Sequence, residues 1–180
     1  MPTVVDTAIS LVQRRSLKRH ASHEETGILP LSQIRTSIAF LDVEDTSFDL
    51  CKNRIMAFWR EHDIHGEIFF LDFRKLSEGE RLITSINTTI LRKDLNWFGR
   101  PGDDKIRLLN ARQPDLLIST IREKNFAYEF LVTASNARFK IGRKQLPGRV
   151  FDVVLLEKDD KVLSEADAFA NMARLMERFQ

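Results

Sequence analysis

The sequence predicts an α/β fold: a mostly parallel sheet with helices on both faces, plus an N-terminal amphipathic helix. Three observations carry that expectation. Short apolar runs alternate with segments of helical spacing, the runs are apolar nearly throughout, and two of them end at an acid. Strands buried on both faces read this way, because helical crossovers cover each side of a parallel sheet. Right-handed crossovers leave few topologies, and the strand order expected is 3-2-1-4-5-6, a Rossmann-like arrangement.

In chain order, residues 4 to 20 read as an amphipathic helix with Val5, Ile9 and Val12 on one side. Arg14, Arg15, Lys18 and Arg19 crowd its end, where positive charge suits the negative pole of the helix dipole. The polar joint "ASHEETGILP" follows, broken by Gly27 and Pro30. Residues 1–34 are therefore expected to be an appendage, and 35–180 a single α/β domain. "TSIAFLD" (36 to 42) reads as the first strand. Ser47 is placed to cap a helix to about residue 62, with Phe48, Cys51, Ile55 and Phe58 on its apolar face. "GEIFFLDF" (66 to 73) is the second strand, and "INTTIL" (86 to 91) carries weaker strand character. A short helix over 103 to 112 precedes the strand "DLLIST" (115 to 120). A helix over 122 to 135 leads to "RFKIG" (138 to 142) and "VFDVVLLE" (150 to 157). Phe169, Met172, Met176 and Phe179 mark a last helix over 164 to 179.

The chain has 180 residues, 43% hydrophobic and 30% charged, which is globular rather than disordered composition. Thirteen Phe against one Tyr makes its aromatic content mostly apolar packing material. It has no apolar run long enough to cross a membrane, and its first apolar residues precede its basic ones, the reverse of a secretory signal. A cytoplasmic location is expected, with peripheral contact to the inner membrane as an extension of it. The lone Cys51 agrees, since it has no internal partner. A net charge of +2 with interspersed signs gives no support for DNA binding. Only "QRRSLKRH" (13 to 20) is a clean basic run, a solvated helix face or a contact for anionic lipid or RNA through Arg14, Arg15, Lys18 and Arg19.

Sheets of this order bind ligands beyond the carboxyl ends of their strands, where the order reverses. The rim so defined comprises Asp42 to Thr46, Asp72, Asn96 to Arg100, Ser119 to Arg122 and Gly142. From it come the candidate ligand contacts Asp42, Asp45, Thr46, Asn96, Trp97, Arg100, Ser119 and Arg122. No catalytic residue, metal site or cofactor is assigned. The first turn, "LDVEDTSF", has three carboxylates and no glycine, so it offers a dinucleotide's phosphates no cradle. No GxxxxGK[ST] loop occurs elsewhere. The histidine pairs "HASH" and "HDIH" lie at a frayed helix end and across a turn, without evident third and fourth zinc ligands. Cys51 falls on an apolar helix face, where thiols are inert.

"DVEDT" loosely resembles the DxDxT loop of haloacid-dehalogenase-like phosphatases, which implies an attacking Asp and a Mg²⁺ ion. Glu44 stands where that family has its second Asp, and Lys140 and Asp159–Asp160 are available for its later motifs, as such residues are in most proteins. "KDLNWFGRP", followed by "PDLLIS" and "ASNARFKIG", resembles a family of small uncharacterised bacterial α/β proteins over residues 36 to 157. That resemblance implies a fold and no activity. "YEFLVTASNARFKIG" is similar, more distantly, to the amino-terminal half of heptosyltransferase-like glycosyltransferases. Those enzymes bind their sugar nucleotide with a second Rossmann-like domain, for which this length leaves no room.

In "KDLNWFGRP", Asn96 is expected to brace a turn, Gly99 to supply a positive φ angle and Pro101 to precede a helix. Trp97 and Phe98 then either plug the end of the sheet or face a bound partner. Three functional readings follow. One is a non-enzymatic domain that binds a protein or ligand; another is an enzyme or degenerate enzyme for a small anionic or sugar-like ligand. The third is a membrane- or RNA-associated module using its basic helix.

Overall fold

The computed structural model of the chain describes residues 4–75, 87–111, 113–123, 125–157 and 162–179. Six strands form one sheet: β1 (Thr36–Asp42), β2 (His65–Asp72), β3 (Thr89–Leu91), β4 (Leu116–Ser119), β5 (Phe139–Gly142) and β6 (Val153–Val154). They pair in parallel in the order β3-β2-β1-β4-β5-β6, as the alternating pattern predicts. β1 is central, with Ala39 opposite Ile68 on one side and Ile118 on the other.

Side chains alternate across each strand and so feed two cores. Ala39 and Leu41 join Ile68, Phe70 and Ile118 beneath α2 (Phe48–Glu61) and α5 (Glu165–Met176). Ile38 and Phe40 join Phe69, Leu71 and Leu117 beneath α3 (Asp103–Asn110) and α4 (Phe126–Ala134). The first helix, α1 (Val4–His20), packs on α4 as an outer layer. The segment after it is fastened to the domain. Ser22 N–H donates to Thr133 O (3.0 Å), Gly27 N–H to Arg138 O (2.9 Å), and the Thr26 hydroxyl to Asp152 (2.6 Å). Ile34 is buried in the core beneath α2 and α5.

At the other end of the central strands, Asp115 ties β1 to β4. Its Oδ2 accepts the backbone N–H of Arg35 (2.9 Å) and Thr36 (3.0 Å), and its Oδ1 accepts from Arg138 (3.0 Å). Burial acts to raise this carboxyl, but these bonds outweigh it and hold Asp115 below its ordinary range.

Several elements are shorter than their sequence patterns suggest, for identifiable reasons. α4 starts at Phe126 rather than residue 122, because Asn125 caps it by accepting Tyr128 N–H (2.8 Å). The apolar run at 150 to 157 contributes only the two-residue edge strand β6. β3 keeps Thr89 to Leu91 of its expected span, whose first residue lies outside the described residues. Ser47 occupies the N-cap of α2 but makes no capping bond to that helix. Its hydroxyl donates to Asp45 (2.6 Å) and accepts from Ala166 N–H (3.1 Å), joining α2 to the start of α5.

β2 lies close under α2 because its second residue is a glycine. A Cβ on Gly66 would stand 2.1 Å from the buried indole of Trp59, an impossible contact. Gly66→Ala should therefore destabilise the fold by about 2 kcal/mol through overpacking, lowering the urea midpoint without changing the slope.

Candidate functional site

β1 leads into α2 on one face of the sheet, whereas β4 leads into α4 on the other. The carboxyl ends of β1 and β4 are thus the reversal point where such sheets usually receive ligands. In this chain the protein's own groups occupy it. Ser119 is fully buried and shares a 2.7 Å hydrogen bond with the hydroxyl of Tyr128, itself 1% exposed. Burial raises the Tyr128 phenol further, so it stays a neutral partner. Thr120 donates to Phe40 O (3.4 Å) and accepts a weak contact from Cys51 Sγ at 4.0 Å. Arg143, beyond the end of β5, reaches Thr120 O (3.4 Å), the carboxylate of Glu157 and Leu163 O. Cys51 is fully buried, and burial pushes its thiol up to about 12, an inert state.

The acidic turn after β1 is organised by its own side chains. Asp42 accepts Glu44 N–H (2.9 Å), and Asp45 accepts Ser47 N–H (2.8 Å). Burial pushes the Asp42 carboxyl up, and the charges of Glu44 and Asp45 add to that against the Glu44 amide. Thr46 is exposed beside them. Behind the turn lies a carboxyl absent from the sequence-derived candidates. Glu165, in the first turn of α5, is 2% exposed and accepts Asp42 N–H (3.3 Å). Burial, then the Asp45 carboxylate, pushes it up to about 8. Its sequence setting gives no warning, because acids in a first helical turn are ordinary surface residues. Among the described residues, no group of three His, Cys, Asp or Glu is arranged to hold a metal ion.

The second set of candidates lies elsewhere. Asn96 closes its turn twice over: its Oδ1 accepts the N–H of Phe98 (3.2 Å) and Arg100 (2.9 Å), while Gly99 N–H donates to Asn96 O (2.9 Å). Gly99 has φ +89° and an antiparallel bridge joins Leu95 to Pro101, so the expected positive φ is present. The two aromatics then divide. Phe98 packs against Phe126 at the start of α4, ring centroids 6.1 Å apart, and its carbonyl accepts from Gln13 of α1 (2.8 Å). Trp97 remains 74% exposed. Phe98 is thus covered by α4, whereas the Trp97 ring projects, its edge against Phe98 at a centroid distance of 5.2 Å.

Arg100 is committed to structure. Its guanidinium lies over the Phe130 ring at 5.3 Å, donates to Asp103, and meets His20 Nε2 at 3.3 Å. The His20 Nδ1–H donates to Ser16 O (2.9 Å), which leaves Nε2 as the acceptor. Arg122 is exposed in the loop before α4. Arg14, Arg15, Lys18 and Arg19 are exposed on α1. The candidates therefore form two groups, Asp42–Asp45–Thr46 and Asn96–Trp97–Arg100. Ser119 is sealed away, and among the described residues no hydrogen bond joins the two groups.

The chain belongs to the Family of unknown function (DUF6913), whose model matches residues 11–166. The match runs from within α1, through all six strands, into the first turn of α5. No curated protein and no solved structure matches the chain.

Glu165 makes the fold sensitive to pH with a definite sign. The folded protein keeps this carboxyl protonated up to about 8, whereas the unfolded chain ionises it above its ordinary value of 4.5. Its neutral form therefore contributes fully below that ordinary value, and the contribution is lost as pH rises toward 8. Glu165→Gln, which cannot ionise, should match the parent at acid pH and be more stable by about 3 kcal/mol at pH 7. Urea unfolding of both proteins across that pH range tests it.

Proposed function

We propose that the domain this family shares is a non-catalytic α/β module that docks another protein, with Trp97 as the central contact residue. The exposure of Trp97 on a locked turn carries this reading. An indole left in water is unfavourable, and five hydrogen bonds through Asn96 and Gln13 hold its turn in place. A pre-ordered aromatic loses little further freedom on association, and tryptophan is among the residues that dominate binding energy at protein interfaces.

An enzymatic reading, whether glycosyltransferase-like or phosphoryl-transfer, needs substrate access at the reversal point between β1 and β4. There Ser119 and Tyr128 satisfy each other in the core, and Arg143 is already held by Glu157 and two carbonyls. The acidic turn favours no phosphate. These observations weigh toward binding without catalysis.

Trp97→Ala should leave the unfolding temperature within a degree or two, since its ring is largely solvated. The same variant should lose, by tenfold or more, the proteins that co-purify with the unaltered chain from its native cells. Co-purification independent of Trp97 would refute the assignment.

A further inference from the structure

We infer that the outer face of α1 is a contact surface for an anionic lipid bilayer. α1 turns Ile9, Val12, Gln13, Ser16, Leu17 and His20 inward, where all are partly buried against the domain. The opposite side carries Leu11, Arg14, Arg15 and Lys18, with Arg19 at its margin, and all five are exposed. Among the described residues, none of these four cations makes an ion pair or a side-chain hydrogen bond. Elsewhere Arg54, Arg74, Arg138 and Arg143 all pair with carboxylates. No acidic residue occurs between Asp6 and Glu24, so beyond its first turn the helix carries no carboxylate to offset the positive charge of this face.

Orientation is fixed as well as charge. Gln13 bonds Phe98 O, His20 meets Arg100, and Ser22 N–H bonds Thr133 O, so α1 is clamped at its middle, its end and just beyond. The cations are thus presented outward as a set.

The make-up of the face selects among anionic partners. Its outward side offers no aromatic ring on which a base could stack, the usual requirement for sequence-tolerant binding of single-stranded nucleic acid. A protein interface needs an apolar centre drained of charge, and this face has four cations around one half-exposed leucine. A bilayer with anionic headgroups needs only spread positive charge and a little apolar surface, which Leu11 (51% exposed) supplies. Each cation near such a surface raises partition by about fivefold.

The test is co-sedimentation of the full chain with phosphatidylcholine vesicles containing about one-third phosphatidylglycerol, beside vesicles of phosphatidylcholine alone. The expected result is binding to the anionic vesicles only, reversed by high salt because exposed charges are screened. Replacing Arg14, Arg15, Lys18 and Arg19 together by Ala should lower partition at least about fiftyfold. Because all four side chains are solvated, the unfolding temperature of that variant should match the parent, which shows that the loss is local. Equal binding to both vesicle types, or undiminished binding by the variant, overturns the inference. Preference for an oligouridylate or for polyglutamate over the anionic vesicles, at equal salt, overturns it in favour of RNA or an acidic protein.

Discussion

A parallel sheet in the order 3-2-1-4-5-6 has one built-in gap, where the helices that follow its two central strands part to opposite faces. Many α/β proteins leave that gap open. This chain closes it with a tyrosine from the helix on one side, hydrogen-bonded to a serine at the end of the neighbouring strand. The closure has consequences for everything stacked around it. Thr120 turns toward the backbone of β1, Cys51 comes to lie against Thr120, and Glu165 is left in a place too dry to ionise at neutral pH. Polar groups buried together must satisfy one another, and a network of this kind specifies a single packing more than it stabilises one.

The tyrosine is positioned by α4, and so are the turn that carries Trp97 and the inner side of α1. α4 ends without a glycine cap and without a basic residue in its last turn. Its final carbonyls are satisfied from three separate parts of the chain instead. Lys140 donates to Val132 O (3.1 Å), Ser22 N–H to Thr133 O (3.0 Å), and Asn110 to Ala134 O (2.9 Å). For this role Lys140 is buried, and burial draws its ammonium down to about 8. At its other end, Phe126 supports Phe98 and thereby the Trp97 turn. One nine-residue helix therefore sets the reversal point, the outward tryptophan and the seat of α1 together.

Strand order was readable from the sequence because its causes are local and few: apolar runs, helical spacing between them, and the handedness of crossovers. Element ends were less readable where a side chain decides them. Nothing in the run 122 to 135 marks Asn125 as the point at which the helix begins until its carboxamide is seen accepting Tyr128 N–H. Asn96 was readable as a brace and Gly99 as a positive φ, because each acts on its own neighbours. The separate fates of Trp97 and Phe98 were not. Their rings meet edge to face, centroids 5.2 Å apart, and which of the two is covered depends on Phe126, distant in sequence. Ser119, a candidate by its place at the end of β4, is sealed in the core, and Glu165, in the first turn of α5, is buried; in both cases long-range packing decides.

The modest net charge conceals this asymmetry. Near neutrality in total, the chain holds acids at the end of β1, where backbone and hydroxyl groups of the same turn absorb them. Four cations that make no ion pair among the described residues lie on α1, away from those acids in sequence and attached to the opposite face of the sheet through α4. Satisfied acids and unsatisfied cations are not equivalent in what they do. The former have spent their hydrogen-bonding capacity on the fold and attract little. The latter keep theirs, at a fixed orientation, for whatever negative surface approaches. A rigid scaffold that neutralises one sign internally and displays the other is suited to placement against a charged surface, and a fixed tryptophan nearby can then choose the partner met there.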